Sequence, residues 1–267
     1  MIGLNRELAP ISPKAWEAIE TEAREVLELH LAARRLVDFD GPHGWDHSAL
    51  DLGRVEELES HPTGALVRRR VVRPLIELRV PFELDRAELE RIDRGAAGAD
   101  LDPLRDAARV FAAAEDSALF EGYADADIPG LLTDSAHDGV ELPKDAAELP
   151  GAVSEALERL RQAGVAGPYA VALGPGAYGS LDRGAADGGY PVLRHVQRLI
   201  DWKVVWAPSL RGGLVLSLRG GDFELVCGRD ASIGYLGHDD AKVRLYLEES
   251  FSAELSGPEA FVPMLGG

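Results

Sequence analysis

One long amphipathic segment near the start of the chain constrains the fold more than any other feature. Apolar residues recur at three- and four-residue spacing from Trp16 to Leu31, as on the buried face of a single helix. Ser12 followed by Pro13 predicts where this helix starts, because serine caps helices and proline fits the first turn. After a short extended piece, two glycines and a proline predict a sharp corner at 41–45. A chain that begins in this way must pack a long helix against a further layer.

The charge and the composition argue against several kinds of partner. The chain of 267 residues has a net charge of −18, from 46 acidic and 28 basic side chains. Nucleic-acid binding draws its affinity from Lys and Arg, so we expect no nucleic-acid partner. We also expect no membrane span, since no stretch approaches the roughly 20 apolar residues required. We expect no signal peptide, because the N-terminus lacks a basic region followed by an apolar core. The single cysteine, Cys227, excludes an internal disulfide and fits a reducing cytoplasm as a small buried side chain.

Helices and strands alternate without a regular repeat, which predicts the α+β class. Further helices are expected at 85–94, at 102–121 with Asp102 as its cap, at 143–162 with Ala147 facing inward, and at 192–200. Strands are expected within 50–80, at 169–173, 203–207, 214–218 and 223–227, as a pair over 242–255, and near 260–265.

The strands on either side of the turn at 60–64 have opposite charges. The first strand carries Glu56, Glu57 and Glu59, and the second carries Arg68, Arg69, Arg70 and Arg73. A two-stranded arm this polar has too little apolar surface to hold itself in place. It is either a solvated hairpin or an arm that pairs with a neighbouring subunit.

Several segments resemble one family when they are taken in order along the chain. They are RELAPIS near the start, RRLVD at 34–38, GPHGW at 41–45, RPLIELRVPFELD at 73–85, AGVAGPYAVAL at 163–173, GGDFELVCGRDASIGY at 220–235, and the closing strands from Lys242. Together they resemble the family 1 encapsulin shell proteins, of the linocin or bacteriocin type, which build bacterial and archaeal nanocompartments. The resemblance implies the HK97 phage major-capsid-like fold.

The resemblance also implies a division of the chain and a function. A discontinuous peripheral domain would comprise 1–48, 82–130 and 222–267, with an extended loop at 49–81 and an axial domain at 131–221. The subunit would not be an enzyme. About sixty copies would close into an icosahedral T=1 shell in the cytoplasm. The shell would enclose a cargo enzyme, such as a dye-decolorising peroxidase or a ferritin-like protein, through the cargo's short C-terminal targeting peptide.

The resemblance places a groove for that peptide between the first helix and the closing strands. The expected groove residues are Leu31, Arg34, Leu36, Asp38, Phe39, Asp230, Ser232, Ile233 and Tyr235. The apolar members would form pockets, and Arg34 and Asp38, four residues apart, would hold each other or the peptide. The turn at 230–232 would supply side-chain acceptors. The alternative is that these residues only fill the core between helix and sheet.

Two further expectations concern small molecules. The glycine-rich loop at 184–191 matches the tip of the axial domain, so Asp187, Gly188, Gly189 and Tyr190 are expected to line a pore at the fivefold axis. Some relatives bind flavin through a tryptophan where this chain has Ala87, so no flavin is expected. The seven histidines show no metal-ligand spacing, and no cofactor or metal is expected.

Two patterns invite an enzymatic interpretation. The run GPGAYG at 174–179 matches a dinucleotide motif with Asp201 downstream, so the alternative function is a soluble α+β oxidoreductase. We interpret this run as a surface turn, because the glycines that follow make a poor helix. Glu115 and Asp116 are adjacent on a predicted helix and point in different directions, so they are interpreted as solvated or inter-subunit charges.

Overall fold

Six α-helices and fourteen strands form within the described parts of the chain, which are residues 3–59, 61–181, 185–186, 190–200 and 203–266 of this computed structural model. The helices are α1 (Pro13–His30), α2 (Arg86–Asp93), α3 (Asp102–Phe120), α4 (Leu149–Gln162), α5 (Pro175–Leu181) and α6 (Val192–Ile200). The strands are β1 (Asp38–Asp40), β2 (Ala49–Glu57), β3 (Arg68–Pro74), β4 (Ile76–Asp85), β5 (Val140–Leu142), β6 (Tyr169–Leu173), β7 (Ala185–Ala186), β8 (Tyr190–Pro191), β9 (Val204–Trp206), β10 (Gly213–Ser217), β11 (Phe223–Cys227), β12 (Ser232–His238), β13 (Lys242–Leu255) and β14 (Phe261–Gly266).

The first sheet is built around the long strand β13. Its order is β1-β11-β13-β12, with β4 also paired to β13. All its pairings are antiparallel except that of β1 with β11. Helices α1, α2 and α3 cover one face, and their apolar residues pack with Leu245 and Leu247 of β13. By strand alternation, Glu248 points to the opposite face, where it pairs with Arg79 and Arg229.

The predicted first helix is confirmed. It begins at Pro13, and the Ser12 hydroxyl accepts a hydrogen bond of 3.0 Å from the Ala15 amide. Its buried face includes Ile19 and Leu27, as the spacing requires.

A second sheet lies next to a separate apolar cluster. Its order is β5-β14-β10-β6-β9, and the pairs β14–β5 and β6–β9 are parallel. Helices α4 and α6 contribute Val153, Leu157 and Val196 to the core that includes Val171 and Val215 of this sheet. The chain therefore has two packed layers of helix on sheet, as the α+β class implies.

The hairpin of β2 and β3 pairs with neither of these sheets as far as the chain is described. Its opposed charges form cross-strand ion pairs, as the sequence suggests. Arg70 lies 2.9 Å from Asp51, Arg68 lies 3.5 Å from Glu57, and Arg69 contacts Glu56. These side chains are exposed, so the pairs contribute little to holding the hairpin.

Some element boundaries were predicted wrongly. The residues 242–255 form one strand instead of two, because successive parts of β13 pair with β12 and β4 and then with β11. Helix α4 begins at Leu149, since Asp145 caps a separate 3-10 turn before it, and Ala147 is exposed. Leu101 occupies the N-cap of α3, so Asp102 lies inside the first turn. Strand β12 was missed, because its two glycines and its polar flanks resemble a turn.

Candidate functional site

A cavity of about 700 Å³ opens between α1, the 3-10 turn Ala33–Arg35 and the start of β12. Five of the nine predicted groove residues line it, namely Leu31, Arg34, Asp230, Ser232 and Ile233. Its apolar wall combines helix residues with residues of the first sheet: Ala23, Leu27, Leu31, Ile233 and Leu247. The predicted meeting of the first helix with the closing strands is therefore present.

The other four predicted residues lie elsewhere. Leu36 and Asp38 line a smaller cavity of about 310 Å³ that faces the second sheet. The Arg34 guanidinium carbon lies 5.2 Å from the centroid of the Phe39 ring, and Tyr235 contacts His238. Phe39 and Tyr235 line neither of the two cavities. The predicted groove is thus divided into two cavities by the 3-10 turn Ala33–Arg35. No sequence pattern predicted this division.

Arg34 is held by three carboxylates, and the predicted pairing with Asp38 is wrong. Its Nε lies 2.8 Å from Glu115 Oε1, and its Nη2 lies 2.6 Å from Glu115 Oε2 and 2.7 Å from Glu249 Oε2. Its Nη1 donates to Asp230 Oδ1 at 2.7 Å. Asp38 instead accepts a hydrogen bond of 2.5 Å from the Gly221 amide. Because Arg34 follows α1 in a 3-10 turn, the helical four-residue spacing does not apply to it.

Glu115 and Asp116 are fully buried, so their interpretation as solvated or inter-subunit charges is wrong. Asp116 accepts hydrogen bonds from the amides of Ala32 and Ala33, at 3.1 and 2.9 Å. Glu115 accepts hydrogen bonds from Arg34, which lies in the turn after α1. The two acids therefore fasten the turn after α1 onto α3.

A sequence signal for these two acids did exist. Glu115 lies four residues after the buried Phe111, and Asp116 lies four residues after the buried Ala112. Both positions belong to the buried face of α3, where an acid requires a partner. The sequence could not identify that partner, because Arg34 lies 81 residues away.

Burial shifts the acidities around this cluster. Burial raises the pKa of Asp116 to about 7, although its two backbone hydrogen bonds oppose the rise. Burial also raises the pKa of Glu249 well above its usual range, and the negative charge of Glu115 adds to the effect. The pKa of the Cys227 thiol rises to about 12 through burial, and this free cysteine is fully buried as predicted.

The rim of the larger cavity mixes both signs of charge. Arg6, Arg24 and Arg35 lie on it together with Glu20 and Glu28. The turn before β12 adds an ordered acceptor, since Asp230 Oδ1 also accepts a 2.7 Å bond from the Ala231 amide. An apolar floor with hydrogen-bonding groups at its edge suits a short peptide whose apolar side chains enter while its backbone stays near the rim.

The pore prediction falls largely outside the described residues. Asp187, Gly188 and Gly189 lie outside them, and Tyr190 begins β8, which pairs with β7 across this segment. Ala87 lies exposed on α2. No group of three or more His, Cys, Asp or Glu side chains in the described ranges is arranged to hold a metal. Likewise, no helix in the described ranges is both long and apolar enough to span a membrane.

The interpretation of GPGAYG as a surface turn is wrong. Pro175–Leu181 is the helix α5, and β9 runs parallel to β6, so the run lies in a strand–helix–strand unit. A side chain at Gly174 would collide with the Leu210 carbonyl, which explains a glycine there by backbone packing. Asp201, the downstream acid of the dinucleotide alternative, lies outside the described residues.

Comparisons of sequence find close relatives over nearly the whole chain. A family model described as an encapsulating protein for peroxidase matches residues 1–252. A type 1 encapsulin shell protein of Rhodospirillum rubrum is 53% identical, with 100% of this chain and 97% of the relative covered. A type 1 encapsulin shell protein of Rhodococcus erythropolis is 42% identical, with 99% of this chain and 100% of the relative covered.

Comparisons of structure find similar folds at low identity. A virus-like particle from Pyrococcus furiosus aligns with a TM-score of 0.62 and 15% identity, over 92% of this chain and 97% of that chain. The capsid of Myoviridae phage XM1 aligns with a TM-score of 0.56 and 11% identity, over 86% and 90%. These likenesses confirm the predicted α+β, HK97-like capsid fold.

Proposed function

Because the chain belongs to the family of type 1 encapsulin shell proteins, we propose that it is a self-assembling subunit of a closed protein shell that encloses a cargo enzyme. The proposal is supported by relatives that match nearly the whole chain and by the fold that the chain shares with capsid proteins. Its role is structural, and the enclosed enzyme would supply the chemistry.

Finer features of the shell belong to the same proposal. We expect about sixty copies in a T=1 icosahedron, in the cytoplasm, with Asp187, Gly188, Gly189 and Tyr190 at the fivefold pore. The family description names a peroxidase, which supports a peroxidase as the cargo, and a ferritin-like enzyme is the other candidate. No flavin is expected at Ala87.

Near the end of the chain, the proposed domain boundaries do not follow the division into two sheets. Strand β14 (Phe261–Gly266) pairs with β10 of the second sheet, whereas the division groups 222–267 with the first sheet. The division remains a proposal, and we expect the last strand to move with the axial domain.

The cavity beside Ile233 is the proposed docking site for the cargo's targeting peptide. The observation that carries this proposal is a cavity of about 700 Å³ that has an apolar floor, a charged rim and an ordered acceptor turn at its edge. Several apolar side chains of a peptide fit such a volume. Each site would bind weakly, and an oligomeric cargo would gain avidity from many sites on one inner wall.

A size measurement tests the shell itself. The purified protein is expected to elute as a megadalton particle in size-exclusion chromatography with light scattering, and to form closed shells in electron microscopy. A small oligomer, as expected for an ordinary oxidoreductase, would contradict the proposed function.

A charge in the cavity tests the docking site. Ile233→Asp places an unpaired carboxylate in the apolar wall, which disfavours entry of an apolar peptide. We expect shells of normal size that lose most of a co-expressed peroxidase fused to its native C-terminal peptide, measured as cargo per shell by mass photometry and gel densitometry.

The matched control is Leu236→Asp on the same strand, since Leu236 is 51% exposed and lies away from the cavity. It should retain cargo. Normal loading of Ile233→Asp shells would refute this docking site, and insoluble Ile233→Asp protein would favour the alternative in which Ile233 only fills the core.

A further inference from the structure

A buried carboxyl group that the sequence did not single out lies next to the proposed docking cavity. Glu249 is on β13, is fully buried, and shares Arg34 with Glu115 and Asp230. The Arg34 Nη2 atom lies within 2.7 Å of an oxygen of both Glu249 and Glu115. Arg34 and Asp230 line the cavity, so Glu249 touches its wall through Arg34.

The groups around Glu249 leave an excess of negative charge. Helix α3 contributes Glu115 and Asp116, the turn before β12 contributes Asp230, and β11 contributes Cys227, whose thiol is neutral. On the opposite side, the residue of β4 in register with Glu249 is the apolar Leu78. The described cations that pair with Glu248 lie on the other face of β13. The fully buried Glu115 and Glu249 therefore share one guanidinium with the partly exposed Asp230.

One oxygen of Glu249, Oε1, accepts no hydrogen bond from a described donor, while Oε2 accepts from Arg34. The Glu249 side chain also lies within hydrogen-bonding reach of Glu115, a contact that two carboxyl groups can make only when one of them carries a proton. An unpaired oxygen costs more on a buried carboxylate than on a neutral carboxylic acid, because the charge loses its hydration. The direction of the Glu249 pKa, raised by burial and by Glu115, agrees with this argument.

We propose that Glu249 is a positioning residue, held as a neutral carboxylic acid so that Arg34 can fix the Asp230 turn at the rim of the cavity. When Glu249 ionises, its proton passes to the solvent buffer and a second full negative charge competes for the Arg34 guanidinium. Arg34 then turns toward Glu249 and Glu115 and releases Asp230. The cavity is thus shaped while Glu249 is protonated, and it loosens as the pH rises through the raised pKa of Glu249. Its role in docking rests on the proposed function, while the protonation and the movement do not.

Infrared titration of intact shells tests the protonation. Glu249→Gln keeps the size and polarity of the side chain but cannot ionise. Glu248→Gln is the control, because Glu248 is equally buried on the same strand but pairs with Arg79 and Arg229. Wild type and Glu248→Gln should show the carbonyl band of a buried carboxylic acid that disappears only at a pH well above the ordinary range of a carboxyl group. Glu249→Gln should lose that band, while the contribution of Asp116 remains in all three.

A fluorophore at the rim tests the movement. Ala231→Cys places a thiol on the cavity wall, and Cys227 is buried with a raised pKa and escapes labelling. The label's emission should change over the same pH range as the infrared band, and the change should be lost with Glu249→Gln but kept with Glu248→Gln. An unchanged band in Glu249→Gln, or a label response that does not follow the band, overturns the proposal.

Two further outcomes are decisive. If Glu249→Gln does not assemble, the test uses shells that keep Glu249 and compares their infrared band with the fluorescence of the label. Transitions at the same pH support the proposal, and transitions at different pH values reject it. If both transitions occur but shells retain the tagged peroxidase equally below and above the transition, the docking function fails at this cavity and the positioning role stands.

Discussion

Asp116 has no exposed surface and holds the turn after α1 through two backbone amides. Its pKa is raised to about 7 by burial, against an ordinary value of 3.8. Between these values the folded state keeps a proton that the unfolded state releases. Folding stability therefore rises as pH falls from about 7 to about 4, and it falls as pH rises through the same window.

Replacing Asp116 by Asn tests this linkage. The variant should remove a slope of about 1.4 kcal/mol per pH unit from the free energy of unfolding in that window. It should also cost about 1 kcal/mol at low pH, since one backbone amide loses its acceptor. Thermal midpoints of intact shells at a series of pH values measure the slope. The control is Asp106→Asn, an exposed acid on the same helix, which should leave the slope unchanged. An unchanged slope in Asp116→Asn would rule out its titration.

At the scale of elements, the hairpin of β2 and β3 has little support from its own subunit. Its strands pair only with each other among the described residues, and its ion pairs are exposed. A two-stranded ribbon is only marginally stable alone in water, so a partner from outside the subunit is expected to hold it. We therefore favour an arm that pairs with a neighbouring subunit over a hairpin that is only solvated. Measuring whether shells assemble without the hairpin distinguishes the two.

Deleting 57–70 and closing the gap with a short glycine linker should leave a folded subunit that does not assemble. Both main cores lie outside this segment, so circular dichroism should stay close to that of the wild type. Light scattering should report a small species instead of a shell. The control exchanges the charges of Glu56 and Arg69, which keeps the pair and the length of the arm. Intact shells from the deletion variant would show that the hairpin is not an assembly element.

At the scale of the whole molecule, the junction between the two sheets sets how the two parts of the subunit are oriented for shell closure. The chain passes from β10 of the second sheet to β11 of the first through a turn with Gly220 and Gly221, both at positive φ. Asp38, at the start of β1, accepts the Gly221 amide at 2.5 Å. It therefore ties the N-terminal part of the chain to the joint between the sheets. Shell closure depends on the angle between such parts, because each interface must recur with the same geometry.

Asp38→Ala should loosen this joint. The lost hydrogen bond should lower stability by about 1 kcal/mol, and the yield of closed particles should fall while incomplete or irregular shells increase. Differential scanning calorimetry and electron microscopy measure the two effects. Asp40→Ala is the control, because Asp40 lies on the same strand and its described ion pair is with the exposed His43. Equal yields of closed shells from both variants would contradict a role for Asp38 in the joint.

The sequence by itself determined the elements whose signals are local. The cap at Ser12 and the apolar spacing of α1 depend on neighbours within a few residues, and the charges of the hairpin depend on one turn. The order of family motifs along the chain likewise identified the capsid-like fold. Leu31 and Ile233 line one cavity, and the resemblance had placed α1 beside the closing strands.

Only the tertiary structure decided which charges meet in the core. Glu115, Glu249 and Asp230 bind Arg34 across separations of 81, 215 and 196 residues, and no local pattern encodes such pairs. The helical spacing rule that joined Arg34 to Asp38 failed, since the chain leaves the α-helix at His30. Whether an acid is buried is likewise decided by the tertiary structure. An acid on an apolar helix face becomes a buried group with a raised pKa only when another element covers it, and that covering is a property of the packed fold.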